Sequence, residues 1–134
     1  MSSPPSWLRQ FAQRYTAAWC SQNAASVAAF FSPNGSLQVN NAPPAVGQAA
    51  IEALAQSFMS AFPDIVVAMD EIRVVADGVE YHWTLTGTNT GPGGTGARVK
   101  VSGFEQWKLG SDGLIAQSVG QFDAADYARQ LAGQ

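Results

Sequence analysis

Residues 62–88, FPDIVVAMDEIRVVADGVEYHWTLTGT, contain the point at which the chain exchanges one hydrophobic period for another. Just upstream, Ile51, Leu54, Ala55, Phe58, Met59 and Phe62 recur at steps of three and four, which is an amphipathic helix, and Pro63 stops it. Downstream the period falls to two. Segments 65–76 and 79–88 read as strands, joined by Asp77-Gly78, a dipeptide suited to a tight hairpin turn. Along the second strand Val79, Tyr81, Trp83 and Leu85 share one face, and Glu80, His82, Thr84 and Thr86 share the other.

The two periods extend outward from this junction. Towards the N-terminus, Leu8, Phe11, Ala12, Tyr15, Ala18 and Trp19 form an apolar helical stripe, which Pro4-Pro5-Ser6 introduces with Ser6 as its cap. A second helix is expected over 24–31, broken by SPNG (32–35), followed by a short strand at 36–39 and a loop, NNAPPAVG (40–47). Towards the C-terminus, strands are expected over 98–109 and 114–122, separated from their neighbours by GPGGTG (91–96) and Asp112-Gly113, with a closing helix over 124–131. Helices first and an antiparallel meander afterwards define an α+β domain spanning 1–134, its sheet curled over the helices. So few helices cover one sheet face only, leaving the other for water or a second copy, as in a homodimer.

Composition narrows the partners. Of 134 residues 46% are hydrophobic and 13% charged, about half the usual ~25%, which excludes a disordered chain and suits a lined interior. The seven basic residues are scattered and the net charge is −3, so nucleic acid is not an expected partner. No apolar run approaches the ~20 residues of a membrane span, and MSSPPSWLRQ lacks a secretory core, so neither membrane nor export is expected. The single cysteine, Cys20, fits a reducing, cytoplasmic setting.

Two titratable residues stand out. His82, the only histidine, has the pKa of a general base, but its strand position places it on the polar face with Glu80. In the strand over 98–109, Val99, Val101, Gly103, Glu105 and Trp107 share a face, so Glu105 is a carboxylate among apolar neighbours. Desolvation there favours the neutral acid and raises its pKa, which suits acid–base chemistry; pairing with Arg73 is the structural alternative. Gly103 marks a bend or a close approach. Asp123 is a second acid candidate, and it is also a natural N-cap for the helix that follows it.

The motifs, in order, resemble the SnoaL-like polyketide cyclases of the nuclear transport factor 2-like superfamily. They are Tyr15 with AAW (17–19), AFF (29–31), Gly47 with AAI (49–51), Phe62-Pro63-Asp64, and Trp83 with TGTNTGP (86–92). Thr95-Gly96, Asp112-Gly113 with Ile115, and Phe122-Asp123 complete the series. The resemblance implies a cone-shaped fold enclosing a pocket for a hydrophobic, ring-containing small molecule of polyketide or steroid type, a homodimer, and no metal or organic cofactor. Within such a pocket Tyr15, Trp19, Phe31, Phe58, Met59, Trp83, Val101, Trp107 and Phe122 are the expected ligand contacts, although each also suits a core position. Tyr15 is the hydroxyl best suited to orient a carbonyl.

The chain also departs from the family pattern. Gly120 stands where the family places its acid–base aspartate, Ser118 where it has histidine or tryptophan, and Asn89 where its turn carries histidine. Two readings follow: a cyclase or isomerase working through Glu105 or Asp123, or a ligand-binding or dimeric interaction module without the usual acid.

Overall fold

The computed structural model describes residues 4–133; the tail before Pro4 and Gln134 lie outside the described residues. Helix α1 (Ser6–Cys20) buries every member of its predicted stripe. Ser6 is not its cap. Pro5 precedes the helix in extended conformation, and its carbonyl accepts the N–H groups of Leu8 and Arg9 at 3.1 Å, so Ser6 is already helical. Proline suits that entry because its fixed φ costs the first turn nothing.

Helix α2 (Ala24–Ala28) is shorter than the expected 24–31. Phe31 instead opens strand β1 (Phe31–Val39), and SPNG lies inside that strand. Phe31 faces Ile115 and Ser36 faces Gln117, so a bulge absorbs the surplus residues. Such a bulge tolerates Pro33, which has no N–H for a ladder. Gly35 is needed there, since a Cβ would lie 2.8 Å from the Ile115 carbonyl oxygen. The expected loop over 40–47 contains a two-residue strand, β2 (Ala45–Val46), paired antiparallel with β1.

Gly47, at φ +90°, turns the chain into α3 (Gln48–Ala61), which buries Ile51, Ala55 and Met59. The meander follows as β3 (Val66–Val75), β4 (Gly78–Thr88), β5 (Arg98–Leu109) and β6 (Ile115–Phe122), with α4 (Ala124–Leu131) at the end. Among the described residues the sheet runs β2-β1-β6-β5-β4-β3, antiparallel except where β1 lies parallel to β6. This is a curved, mostly antiparallel α+β sheet with the N-terminal helices on its concave side.

Register decides what the concave face presents. Tyr81 lies opposite Glu105, Trp83 opposite Gly103, and Leu85 opposite Val101, so the two predicted apolar faces coincide. A bulge at Asp70 keeps Val67 and Ile72 inside while Glu71 and Arg73 point out. The core is rich in aromatic contacts: the Tyr15 ring meets Trp19, Phe30, Phe31, Tyr81 and Trp107 edge-on, and Tyr81 stacks on Trp107 at 5.0 Å. Such pairs contribute roughly 0.5–1.5 kcal/mol each beyond their burial.

Two motifs are explained by the turns they hold. Asp64 accepts the backbone N–H of Thr88 at 2.7 Å and its hydroxyl at 2.8 Å, clasping the start of β3 to the end of β4. Asn89 is buried, donates to the Ala61 carbonyl and accepts the Thr95 N–H at 2.9 Å, which organises the glycine-rich turn. Helix α4 is attached differently. It buries none of its residues fully, and the Gln130 amide bridges the backbone N–H and C=O of Lys100 at 2.7 and 2.9 Å. The pairing of β5 with β6 reaches only Gly103–Phe122, so this side chain stands in for a strand on the edge beyond it.

Candidate functional site

The concave face and the helices line a partly open cavity of about 60 Å³. Its walls are almost wholly hydrocarbon and aromatic, and Glu105 on β5 is the one carboxyl among them. The strand that delivers Glu105 is central in the sheet, so its backbone is held on both sides. The residue is 7% exposed.

Three donors converge on this carboxyl. Oε1 accepts the Ser118 hydroxyl at 2.7 Å, the Trp107 indole N–H at 3.0 Å and the Tyr15 hydroxyl at 3.0 Å; Oε2 has only the Tyr15 hydroxyl, at 3.2 Å. Burial pushes the Glu105 pKa above the usual carboxylate range, while the bonds from Trp107, Ser118 and Tyr15 pull it partly back. Burial and the neighbouring carboxyl together push the Tyr15 phenol well up, so it remains a donor. With the donors gathered on Oε1, the proton of the neutral acid belongs on Oε2. Arg73 plays no part here; it pairs with Glu71 on the outer face at 2.6 Å.

Gly120 lies directly opposite Glu105 in the β5–β6 ladder. A Cβ at position 120 would sit 3.6 Å from the Glu105 Cγ, which is ordinary van der Waals contact. The space where the family's aspartate is expected therefore adjoins a glutamate from the neighbouring strand. Gly103 differs from Gly120. A Cβ there would meet the Gln121 carbonyl oxygen at 2.3 Å and the Trp83 Cζ2 at 2.9 Å, so Trp83 and β6 already fill that gap.

Of the residues nominated from the sequence, Glu105, Trp19, Phe58, Trp83, Val101 and Phe122 line the cavity. Tyr15, Phe31, Met59 and Trp107 do not line it; they are buried in the core behind it, where Tyr15 and Trp107 hold the acid. Asp123 is also elsewhere. It is exposed, and its carboxylate accepts the Asp126 N–H at 3.0 Å as the cap of α4. A three-residue step along a strand changes face, which separates it from position 120.

Leu37, Val39, Val67, Tyr81, Leu85 and Tyr127 complete the wall with Gly120. For Leu37 and Val39 the signal was their two-residue spacing, but which face they show depends on the parallel pairing with β6. Tyr127 and Leu131, four apart and the two large apolar residues of α4, are the signal for its inward face. Its Tyr127 ring packs on Phe122 at 5.4 Å and Phe62 at 6.4 Å, covering the cavity. His82 lies outside it, bonded to Glu80 at 3.1 Å and stacked on Phe104 at 5.4 Å.

A curved six-stranded sheet, mostly antiparallel and packed on N-terminal helices, is the nuclear transport factor 2-like, or ketosteroid isomerase-like, fold. Residues 9–131 match the model of the SnoaL-like polyketide cyclase family, and the chain belongs to that family. Solved structures agree on the fold. A candidate SnoaL-like polyketide cyclase from Jannaschia sp. CCS1 superposes with a TM-score of 0.85 at 17% identity, covering 100% of this chain and 99% of that one. TsrD from Streptomyces laurentii gives 0.82 at 21% identity, covering 99% and 100%. A protein with a ketosteroid isomerase-like fold from Catenulispora acidiphila DSM 44928, in complex with trimethylamine, gives 0.80 at 13% identity, covering 92% of each chain. No curated protein matches in sequence. Among the described residues no helix is long and apolar enough to cross a membrane.

Proposed function

We propose that this protein binds a small hydrophobic molecule in the cone and that Glu105 serves there as its general acid–base group, in cyclase- or isomerase-type chemistry. The observation that carries this reading is the lone carboxyl on an apolar wall, with its proton affinity raised by burial and one oxygen left lightly bonded. A carboxyl whose proton affinity is raised by burial both gives and takes a proton next to a carbonyl. The departure at Gly120 then reflects a carboxyl supplied from the facing strand rather than an acid lost. The domain acts in this reading as a cytoplasmic homodimer, with the outer sheet face available to the partner.

The size of the cavity favours a second reading. About 60 Å³ is less than half of the ~150 Å³ apolar cavity that holds benzene, so the wall side chains fill most of the cone. A bicyclic ligand enters only if side chains such as Phe122 and Tyr127 move. If they do not, Glu105 is a structural hub for Tyr15, Trp107 and Ser118, and the domain is an interaction module.

Solvent deuterium exchange at the α-carbons of 2-tetralone, followed by proton NMR, separates the two. The expected result is exchange accelerated by the wild-type protein and returned to the buffer rate by Glu105→Gln. Equal rates for the two proteins and buffer would leave the second reading standing.

A further inference from the structure

Of the thirteen glycines, twelve have a conformational or steric reason to be glycine. Six turn the chain at positive φ, and at six more a Cβ would come within 3.0 Å of another atom. Gly120 has neither reason. Its φ lies outside the left-handed region, and a Cβ there would meet the Gln38 carbonyl oxygen at 3.4 Å, the Glu105 Cγ at 3.6 Å and the Phe104 carbonyl oxygen at 3.9 Å, all ordinary contacts. It nonetheless lies buried inside β6, where glycine weakens a strand through its backbone freedom and its lack of a side chain to pack.

Its neighbours show what the missing side chain leaves. Register aligns Val39, Gly120, Glu105 and Tyr81 in one row across β1, β6, β5 and β4, and all four line the cavity. Strands lie about 4.8 Å apart, so Val39 and the stem of Glu105 flank a gap two strand spacings wide. The floor of that gap is the bare β6 backbone. In a cavity of about 60 Å³, one methyl group at this point would take a large share of the room beside the carboxyl. Gly103, on the same face, leaves no such gap, because the Trp83 ring occupies it.

From this row we propose that Gly120 is a specificity-determining residue: the edge of the ligand lies against the bare β6 backbone beside Glu105, and the size of the side chain at 120 sets the largest ring system the cavity admits there. This rests on the reading of the cavity as a small-molecule site, but not on Glu105 acting as the acid. The strand gives up packing at one position, and the ligand supplies it.

Gly120→Ala and Gly120→Val, each compared with wild type, test the assignment with two probes, bicyclic 2-tetralone and monocyclic cyclohexanone. Both carry one ketone, so they compare ring size. Binding is read from the fluorescence of Trp19 and Trp83, which line the cavity, and stability from urea unfolding. Gly120→Ala is expected to keep the unfolding midpoint at or above that of wild type, yet to weaken 2-tetralone binding about tenfold, the usual scale for one carbon in a tight pocket. Gly120→Val is expected to weaken it further, and cyclohexanone is expected to lose less in both variants. A midpoint lowered by Gly120→Ala would show the glycine to be structural and overturn the assignment. So would equal 2-tetralone affinity in all three proteins, or equal losses for the two probes, although the small-molecule site would stand. If wild type binds cyclohexanone alone, the assignment fails and the site again stands; if it binds neither probe, both fall. Whether deuterium exchange depends on Glu105 is decided separately, since binding is read here without any reaction.

Discussion

Glu105 and Glu71 are the same side chain on opposite faces of one sheet. Glu71 is exposed on β3, and the Arg73 guanidinium beside it holds its carboxyl below the usual carboxylate range. Glu105 is buried on β5, receives only neutral donors, and is pushed the other way. Proximity to water makes the difference. On the outer face a charge keeps its hydration and gains a partner; on the inner face the charge itself is what the surroundings penalise.

The sharpest way to break this contrast is to remove each carboxyl. Glu105→Leu leaves the hydroxyls of Tyr15 and Ser118 and the Trp107 N–H without an acceptor, and is expected to cost roughly 3–5 kcal/mol in urea unfolding. Glu71→Leu is expected to leave the unfolding midpoint within error, because an exposed ion pair contributes little. Equal losses would show that burial does not set the two apart.

A second measurement compares the pH dependence of stability. The folded pKa of Glu105 lies above its unfolded value of about 4.3, so the proton is held more tightly in the folded chain. That contribution is complete below the unfolded pKa and is lost as pH rises through the folded one. Wild type should therefore lose stability relative to Glu105→Gln as pH climbs out of the acid range, and then level off. Each unit of separation between the two pKa values is worth about 1.4 kcal/mol. For Glu71 the folded pKa lies below the unfolded one. Its contribution is present above the unfolded value and disappears as pH falls through the folded one, so any gain of wild type on Glu71→Gln is complete by the pH at which Glu105 begins to lose stability, and solvent screening of the exposed pair keeps it small. Slopes of one sign for both variants would contradict the assigned directions.

The smallest effect concerns His82, which a chemist would pick first from the sequence. It lies on the outer face with Glu80 and Phe104. His82→Gln is expected to leave the deuterium exchange of 2-tetralone at the wild-type rate. A fall in that rate comparable to that of Glu105→Gln would move the chemistry to the other face.

Much of the fold was legible because hydrophobic period reports directly on which face a residue buries. The α1 stripe, the Asp77-Gly78 hairpin and the facing sets on β4 and β5 needed only counting. Where the reading failed, long-range pairing overrode local signals. SPNG looks like a break, yet pairing with β6 draws it into β1, with a bulge absorbing the extra length. AFF continues a helical pattern on paper, yet Phe31 buries itself in a strand. The site was legible in part for the same reason. Glu105 follows from alternation on one strand, whereas its partners come from α1, β5 and β6, and their convergence is not a property of any one segment. Tyr15 and Trp107 looked like ligand contacts because an aromatic side chain on the inner face suits a wall or a core equally well.

By itself, the order of residues determined the succession of helices and strands, the faces that turn inward, and the presence of a carboxyl on an apolar face. These depend on neighbours two to four places apart, and the backbone period alone carries them. Only the tertiary structure decided that three donors meet at Glu105, that Gly120 lies opposite it and that α4 covers the cavity. Those are distances between segments far apart in the chain, set by register, bulges and packing when the sheet closes over its helices.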